Sequence, residues 1–207
     1  MPRVEKRTAR KDYPKNGIKK GDVYYYTKLK LQRGGIEKRS KTPFKPSDLT
    51  TSPFKSGFLA IGQGWDASDK SADEMRAAGE ALRELGTEAQ ESFDNMPEGL
   101  QQGDTGQLLQ ARAEGCESKA DELGGLADEL EGLENPDDDW EEPEEPVEPL
   151  GDLDDEENEA LMEEYQDLCD ERATAITEHE EAVGEYDTEV ERIKGEADDL
   201  INNMPEG

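Results

Sequence analysis

The stretch FKSGFLAIGQGWDASDKSADEMRAAGEALRELGTEAQESF, residues 54–93, decides the fold. Apolar or small residues recur in it at alternating steps of four and three: Phe54, Phe58, Ile61, Trp65, Ser68, Ala72, Met75, Gly79, Leu82, Gly86, Ala89 and Phe93. A seven-residue repeat sustained over this distance predicts a long helix with one sticky seam. Ser52-Pro53 predicts its start, since serine caps a free N–H and proline tolerates the first helical position. Gly62, Gly64 and Ser68 lower helix propensity, so residues 62–69 are where a break would fall. Asn95-Met96-Pro97-Glu98-Gly99 ends the helix, because proline cannot continue the ladder.

Charge divides the chain around this stretch. Residues 1–57 hold 16 Lys/Arg and 5 Asp/Glu, whereas residues 58–207 hold 8 and 49, for a net charge of −30 overall. A uniform acidic adaptation would acidify both ends. Opposite signs imply two jobs, or mutual attraction that salt screens over about 8–10 Å. Hydrophobic residues are only 31% of the chain, enough for narrow helical seams but not for a large globular core.

Upstream, residues 1–12 form a basic arm with weak strand character. Turns follow at 13–17 and 20–22, by their Pro, Asn-Gly and Gly-Asp content. Residues 23–32 read as a strand with Val23, Tyr25, Thr27, Leu29 and Leu31 on one face and Tyr24, Tyr26, Lys28 and Lys30 on the other. Residues 36–42 return as its partner. The sheet has few apolar residues and would be marginal alone. Phe44, Leu49 and the start of the long helix are expected to cover it, across a connector at 43–53.

Downstream, a second helix is predicted over 107–134, with Leu109, Ala113, Cys116, Ala120, Leu123, Ala127 and Leu130 as its seam. The short loop before it implies an antiparallel hairpin. Residues 135–158 hold thirteen Asp/Glu, four Pro and no Lys or Arg, which predicts an extended, self-repelling linker. Trp140 within it is either a docking anchor or stacks back on the helices, and the second reading is preferred. A third helix follows over 159–202, and Asn203-Met204-Pro205-Glu206-Gly207 repeats residues 95–99 letter for letter. The repeat suggests duplication of a helical unit, with reuse of a good stop signal as the alternative. The expected fold class is therefore mainly α: a small N-terminal basic β-sheet module (1–52), a long antiparallel coiled-coil or helical-bundle hairpin (53–134), an acidic linker (135–158) and a third long helix (159–207).

Nothing reads as catalytic. The single histidine, His179, stands at a seam position among glutamates, where a packed or solvated role is the simpler one. No Cys–His or Ser–His–Asp arrangement is readable, so no enzyme activity and no cofactor are expected. Asp152, Asp154, Glu156, Asn158 and Glu163 match a calcium-loop spacing, but Glu157 occupies the position where the sharp turn needs glycine. At this acid density such a match carries little weight. Cys116 and Cys169 form no CxxC pattern and fit a reducing compartment. No secretory leader and no run long enough to span a membrane is seen, so a cytoplasmic protein without membrane contact is expected.

Two surfaces are candidates. Lysines interleaved with tyrosines on the first sheet offer charge for phosphates and rings for bases, at Lys19, Lys20, Tyr24, Tyr26, Lys28, Lys30, Arg33, Lys38, Arg39 and Lys41. The alternative is a solvated sheet that docks on its own acidic helices. The acidic helices themselves offer a dense negative face to a basic protein, or are a charged coiled coil kept soluble by its surface.

Residues 9–58, with ARKDYPKNGIKKGDVYYYTKLK, RGG and KRSKTPFKPSDLTTSPF, resemble the opening module of small, mostly uncharacterised bacteriophage proteins. Some relatives of that module are similar to zinc ribbons. Here Pro14, Asn16, Thr42 and Phe44 stand where those have cysteines, so the resemblance implies that packing replaces zinc. FDNMPEGLQQGDTGQLL, residues 93–109, is also similar to such phage proteins. The resemblance implies a phage source, a place in the host cytoplasm and no particular activity. The expected function is a non-enzymatic binding protein whose acidic helices engage a basic partner, as DNA mimic, inhibitor or adaptor. Nucleic-acid binding through the basic sheet, with the helices regulatory, is the alternative, and a virion or assembly component is the third. The heptads also permit a homodimer.

Overall fold

A computed structural model of the chain describes residues 2–30, 34–148 and 155–205, with side chains from residue 160 onward in the last of these. The fold is mainly helical, with one small antiparallel sheet at the N-terminal end. The chain divides into two compact units, residues 1–127 with 197–207, and residues 128–196.

In the first unit, β1 (Val4–Thr8), β2 (Val23–Lys30) and β3 (Gly35–Ser40) form a sheet with β2 in the centre. The register sets Tyr26 between Glu5 and Arg39, and Tyr24 opposite Arg7. The predicted parity of β2 is therefore correct, but its burial is not the one-sided pattern expected. Tyr24 is 4% exposed on one face, packed with Ala9, Ile18 and the edge of Tyr13. Thr27 and Leu29 are buried on the opposite face, while Val23 is exposed. The β1–β2 connection folds over the tyrosine side, which is why a hydrophobic tally of β2 alone misjudges it. It is pinned by a bridge between Tyr13 and Ile18, and by Gly17 and Gly21 at positive φ.

The long heptad stretch is two helices, α1 (Pro53–Asp66) and α2 (Ala72–Asp94). Ser52 caps α1 as expected, accepting from the Lys55 N–H at 3.4 Å. The break falls at residues 67–71, at the end of the predicted weak region, with Lys70 at φ 57°. Ser71 then restarts the helix by accepting from the Glu74 N–H at 3.3 Å. α1 turns back along α2, so that a Cβ on Gly57 would lie 2.8 Å from Leu85 Cδ1. Nine of the twelve seam residues are buried, Phe54, Phe58, Trp65, Ala72, Met75, Gly79, Leu82, Gly86 and Ala89, whereas Ile61, Ser68 and Phe93 are half-buried.

α2 closes with a four-residue turn of helix, α3 (Glu98–Gln101), and α4 (Asp104–Gly132) runs back against it. Helix thus resumes earlier than predicted. The Gln101 amide donates to the carbonyls of Met96 and Phe93, satisfying groups freed at the end of α2. Gly106 is required there, since a Cβ would stand 2.0 Å from the Gln101 carbonyl. Small residues let α2 and α4 approach: a Cβ on Gly79 would meet Ala120 O at 3.2 Å, and one on Gly86 would meet Cys116 Cβ at 3.0 Å. The ascending 79–86 against descending 120–116 makes the pair antiparallel. Burial pushes the Cys116 thiol up to about 11.

The last turn of the fifth helix, α5 (Asp155–Asn202), completes this unit. Ala197 and Ile201 are buried, and Lys119 Nζ donates to Leu200 O at 2.9 Å, capping the helix end. The repeated Asn-Met-Pro serves both stops alike. Asn95 Nδ2 donates to Glu91 O at 2.8 Å after α2, and Asn203 Nδ2 donates to Asp199 O at 2.8 Å after α5.

In the second unit, α5 up to Glu196 carries the extended segment Asn135–Glu148 and the final turn of α4. Arg192 is held cationic by Glu189, Glu196 and Glu129.

Candidate functional site

On one face of the basic sheet two arginines are paired by glutamates of its own strands. Tyr26, Lys28, Lys30 and Arg39 share that face, as predicted, and β1 adds Glu5 and Arg7 to it. The Arg7 guanidinium lies 3.8 Å from the Tyr26 ring centre and pairs with Glu5. Arg39 pairs with Glu37 at 2.6 Å and lies 4.8 Å from the Tyr13 ring. The Arg7 hydrogen bond holds the Glu5 carboxyl below the usual range, and Arg39 does the same to Glu37. Desolvation, then Glu37, raises the Tyr26 hydroxyl. A tyrosine already covered by an arginine offers less of its face to a base.

The other predicted residues scatter. Tyr24 is buried and presents no ring to a nucleic acid, which corrects its assignment as a stacking residue. Lys38 stands opposite Thr27 on the other face, and its ammonium donates to Asp48 O at 2.5 Å. Lys41 pairs with Asp22 at 3.1 Å. Lys19 and Lys20 are exposed in the loop before β2, and Lys28 and Lys30 are exposed on β2. Arg33 lies outside the described residues. What gathers is a cleft of about 660 Å³ lined by Arg3, Lys28 and Lys30 together with Glu5, Tyr26, Leu29 and Leu49. Arg3 and Arg7 carry no site signal in the sequence, because nothing local shows which strand the arm pairs with.

Elsewhere in this unit Asp198 ties α5 to the α1–α2 corner. Its carboxylate accepts from Trp65 Nε1 at 2.6 Å and from Lys70 Nζ at 2.7 Å. Burial pushes its acidity down, and the hydrogen bonds from Lys70 and Trp65 outweigh that, leaving its pKa below the usual carboxylate value. This cluster is fully satisfied and reads as structural.

The second unit is more unusual. Residues 128–191 hold 30 Asp/Glu against one arginine, Arg172, and one histidine, His179. Both cationic or ionisable bases hold the Asn135–Glu148 segment. Arg172 Nε donates to Pro143 O at 2.9 Å, and its other nitrogen pairs with Glu142. His179 Nε2 lies 3.0 Å from Asp137 Oδ1, and its ring stacks on Trp140 at 3.9 Å with planes 2° apart. The Tyr165 hydroxyl is raised by Cys169, and then by the charges of Glu148 and Glu145. The segment therefore runs antiparallel along α5, an acidic strap rather than a free linker. Trp140 stacks back, as preferred from the sequence. Pro143 and Pro146 are half-buried while Glu144, Glu145, Val147 and Glu148 are exposed, the three-residue period of polyproline II. Exposed ion pairs and one aromatic stack are each worth about 0–1.5 kcal/mol, so the strap is weakly held.

Along α5 the seam is only partly covered: Leu161 is 37% exposed, Met162 42% and Leu168 47%. Carboxylates flank it, with Asp167, Asp170, Glu171 and Glu178 around a shallow depression at Ala175. Of the calcium-like spacing, Asp152 and Asp154 lie outside the described residues. Among the described residues no group of His, Cys, Asp or Glu is arranged to hold a metal ion. Among the same residues no helix is long and apolar enough to cross a membrane. No protein-family model matches the chain, and no curated protein or solved structure matches it.

Proposed function

We propose that the protein is a non-enzymatic binding protein whose acidic helices engage a basic surface on a partner protein, as a DNA mimic or as an adaptor. The observation that supports this most is the 30-to-1 excess of carboxylates over Lys/Arg in residues 128–191, with that one arginine already tied to the strap. Such a field attracts cationic proteins and repels nucleic acid and acidic surfaces. Coiled-coil packing of the α2–α4 pair belongs to this reading, and the seven-residue spacing of Gly79 and Gly86 at the contact favours it. The resemblance of residues 9–58 to phage modules favours a phage source, with a host protein as partner. The test is capture from a bacterial lysate on the immobilised full-length chain, followed by elution with duplex DNA. Basic proteins released by DNA are expected for a mimic, and basic proteins released by salt but not by DNA for an adaptor. Recovery of no basic protein would contradict the reading.

A second reading has nucleic acid bound at the basic sheet, favoured by the cleft that Arg3, Lys28 and Lys30 border. In the same experiment, retention of nucleic acid that is lost in Lys28→Glu would favour it, and retention of none would count against it.

A further inference from the structure

Residues 161–179 of α5 keep the spacing of a helix-pairing seam, through Leu161, Tyr165, Leu168, Arg172, Ala175 and His179. What touches this seam at Arg172 and His179 is an extended strap, not a helix. An extended chain with its prolines inward covers less of the stripe than a second helix would, and Leu161, Met162 and Leu168 remain more than a third exposed. One shoulder is acidic, at Glu164, Asp167, Glu171 and Glu178, and the other is apolar, at Met162, Cys169 and Ile176. The two bases on the seam are already occupied by Glu142, Pro143 and Asp137. An incoming helix thus finds a broad apolar stripe, a row of carboxylates along one side of it and, among the described residues, no unengaged cation on the seam.

We propose that this face of α5 is the docking site for a cationic amphipathic helix of the partner, and that the 135–148 strap is the placeholder it displaces. This rests on the reading that the acidic helices engage a basic protein, and it adds where and by what element. Docking follows the helix-in-groove mode, with apolar anchors along the partner helix meeting Leu161 and Leu168 while its lysines or arginines meet the flanking carboxylates. A second copy of this chain fits less well, since it brings another helix dense in carboxylates and, among the described residues, no unengaged cation on its seam to meet the acidic shoulder. Displacing the strap lowers the apparent affinity by the fraction of time the seam is covered, so loosening the strap should tighten binding.

The probes are two labelled synthetic peptides of identical Leu/Lys composition, one with a heptad stripe and one scrambled, titrated into the full-length protein and followed by fluorescence anisotropy. The striped peptide is expected to bind about tenfold or more tightly than the scrambled one. L161Q/L168Q, which alters exposed positions and should keep its circular dichroism, is expected to remove that advantage. W140A is expected to tighten striped-peptide binding several-fold. Equal binding of the two peptides, or indifference to L161Q/L168Q, would overturn the site while leaving the broader reading standing. Unchanged or weakened binding by W140A would overturn the strap's role as placeholder. Binding of neither peptide at low salt would overturn both the site and the broader reading. Sedimentation of the free chain as a dimer that L161Q/L168Q dissociates would also overturn the proposal, because a second copy would then be the occupant.

Discussion

The pairing of α2 with α4 and the seam of α5 at residues 161–179 carry the same kind of heptad and reach opposite outcomes. In the first, Gly79 and Gly86 bring one helix against the backbone of Ala120 and Ala113, and Met75, Leu82 and Leu123 are fully buried. In the second, Leu161 and Leu168 stand at equivalent spacing and stay exposed under a strap of carboxylates and prolines. A heptad thus announces a helix with a stripe to cover; it does not say what covers it. Glycine and alanine on both partners allow an intramolecular answer. Charge of one sign along one side of the stripe is what the proposed cationic helix would answer.

Cutting into both seams should break this contrast most visibly. Leu82→Ala is expected to destabilise by about 2–5 kcal/mol, through lost burial and a cavity, whereas Leu168→Ala should stay within about 0.5 kcal/mol. Urea denaturation followed by tryptophan emission measures both, since Trp65 lies in the first unit and Trp140 in the second. Equal losses would mean that the two seams are equally covered. A smaller effect comes from the glycines. Gly86→Leu must push α4 away at a cost of about 1–3 kcal/mol. Gly184 in α5 has open space where its Cβ would be, so Gly184→Ala should stabilise by about 0.5–1 kcal/mol. Thermal melts followed by circular dichroism would register the opposite signs.

Much of this was legible from residue order. The seam from Phe54 to Ala89 is buried nearly residue for residue, because periodicity reports which side of a helix is apolar whatever the helix packs on. The bend within it was less legible. Glycines 62 and 64 remain helical, and the chain turns only where Ser71 offers a fresh cap to Glu74. The parity of β2 was readable, but the burial of Tyr24 depends on Tyr13 and Ile18 folding over it, a tertiary event that no local pattern announces. The composition of the strap predicts a self-repelling linker. The overlooked signal was that the one arginine and the one histidine among 30 acids both lie on the facing helix, at seam positions seven residues apart. In a field that negative, a lone base is where an acidic segment will settle.

Amide hydrogen exchange along α5 in the full-length protein, alone and with the striped cationic peptide, tests the central claim most directly. Strong protection is expected around Ile193–Ile201, with faster exchange over residues 160–180 and selective slowing of that second stretch when peptide is added. Uniform protection of α5 in the free chain, with no change on adding peptide, would contradict it.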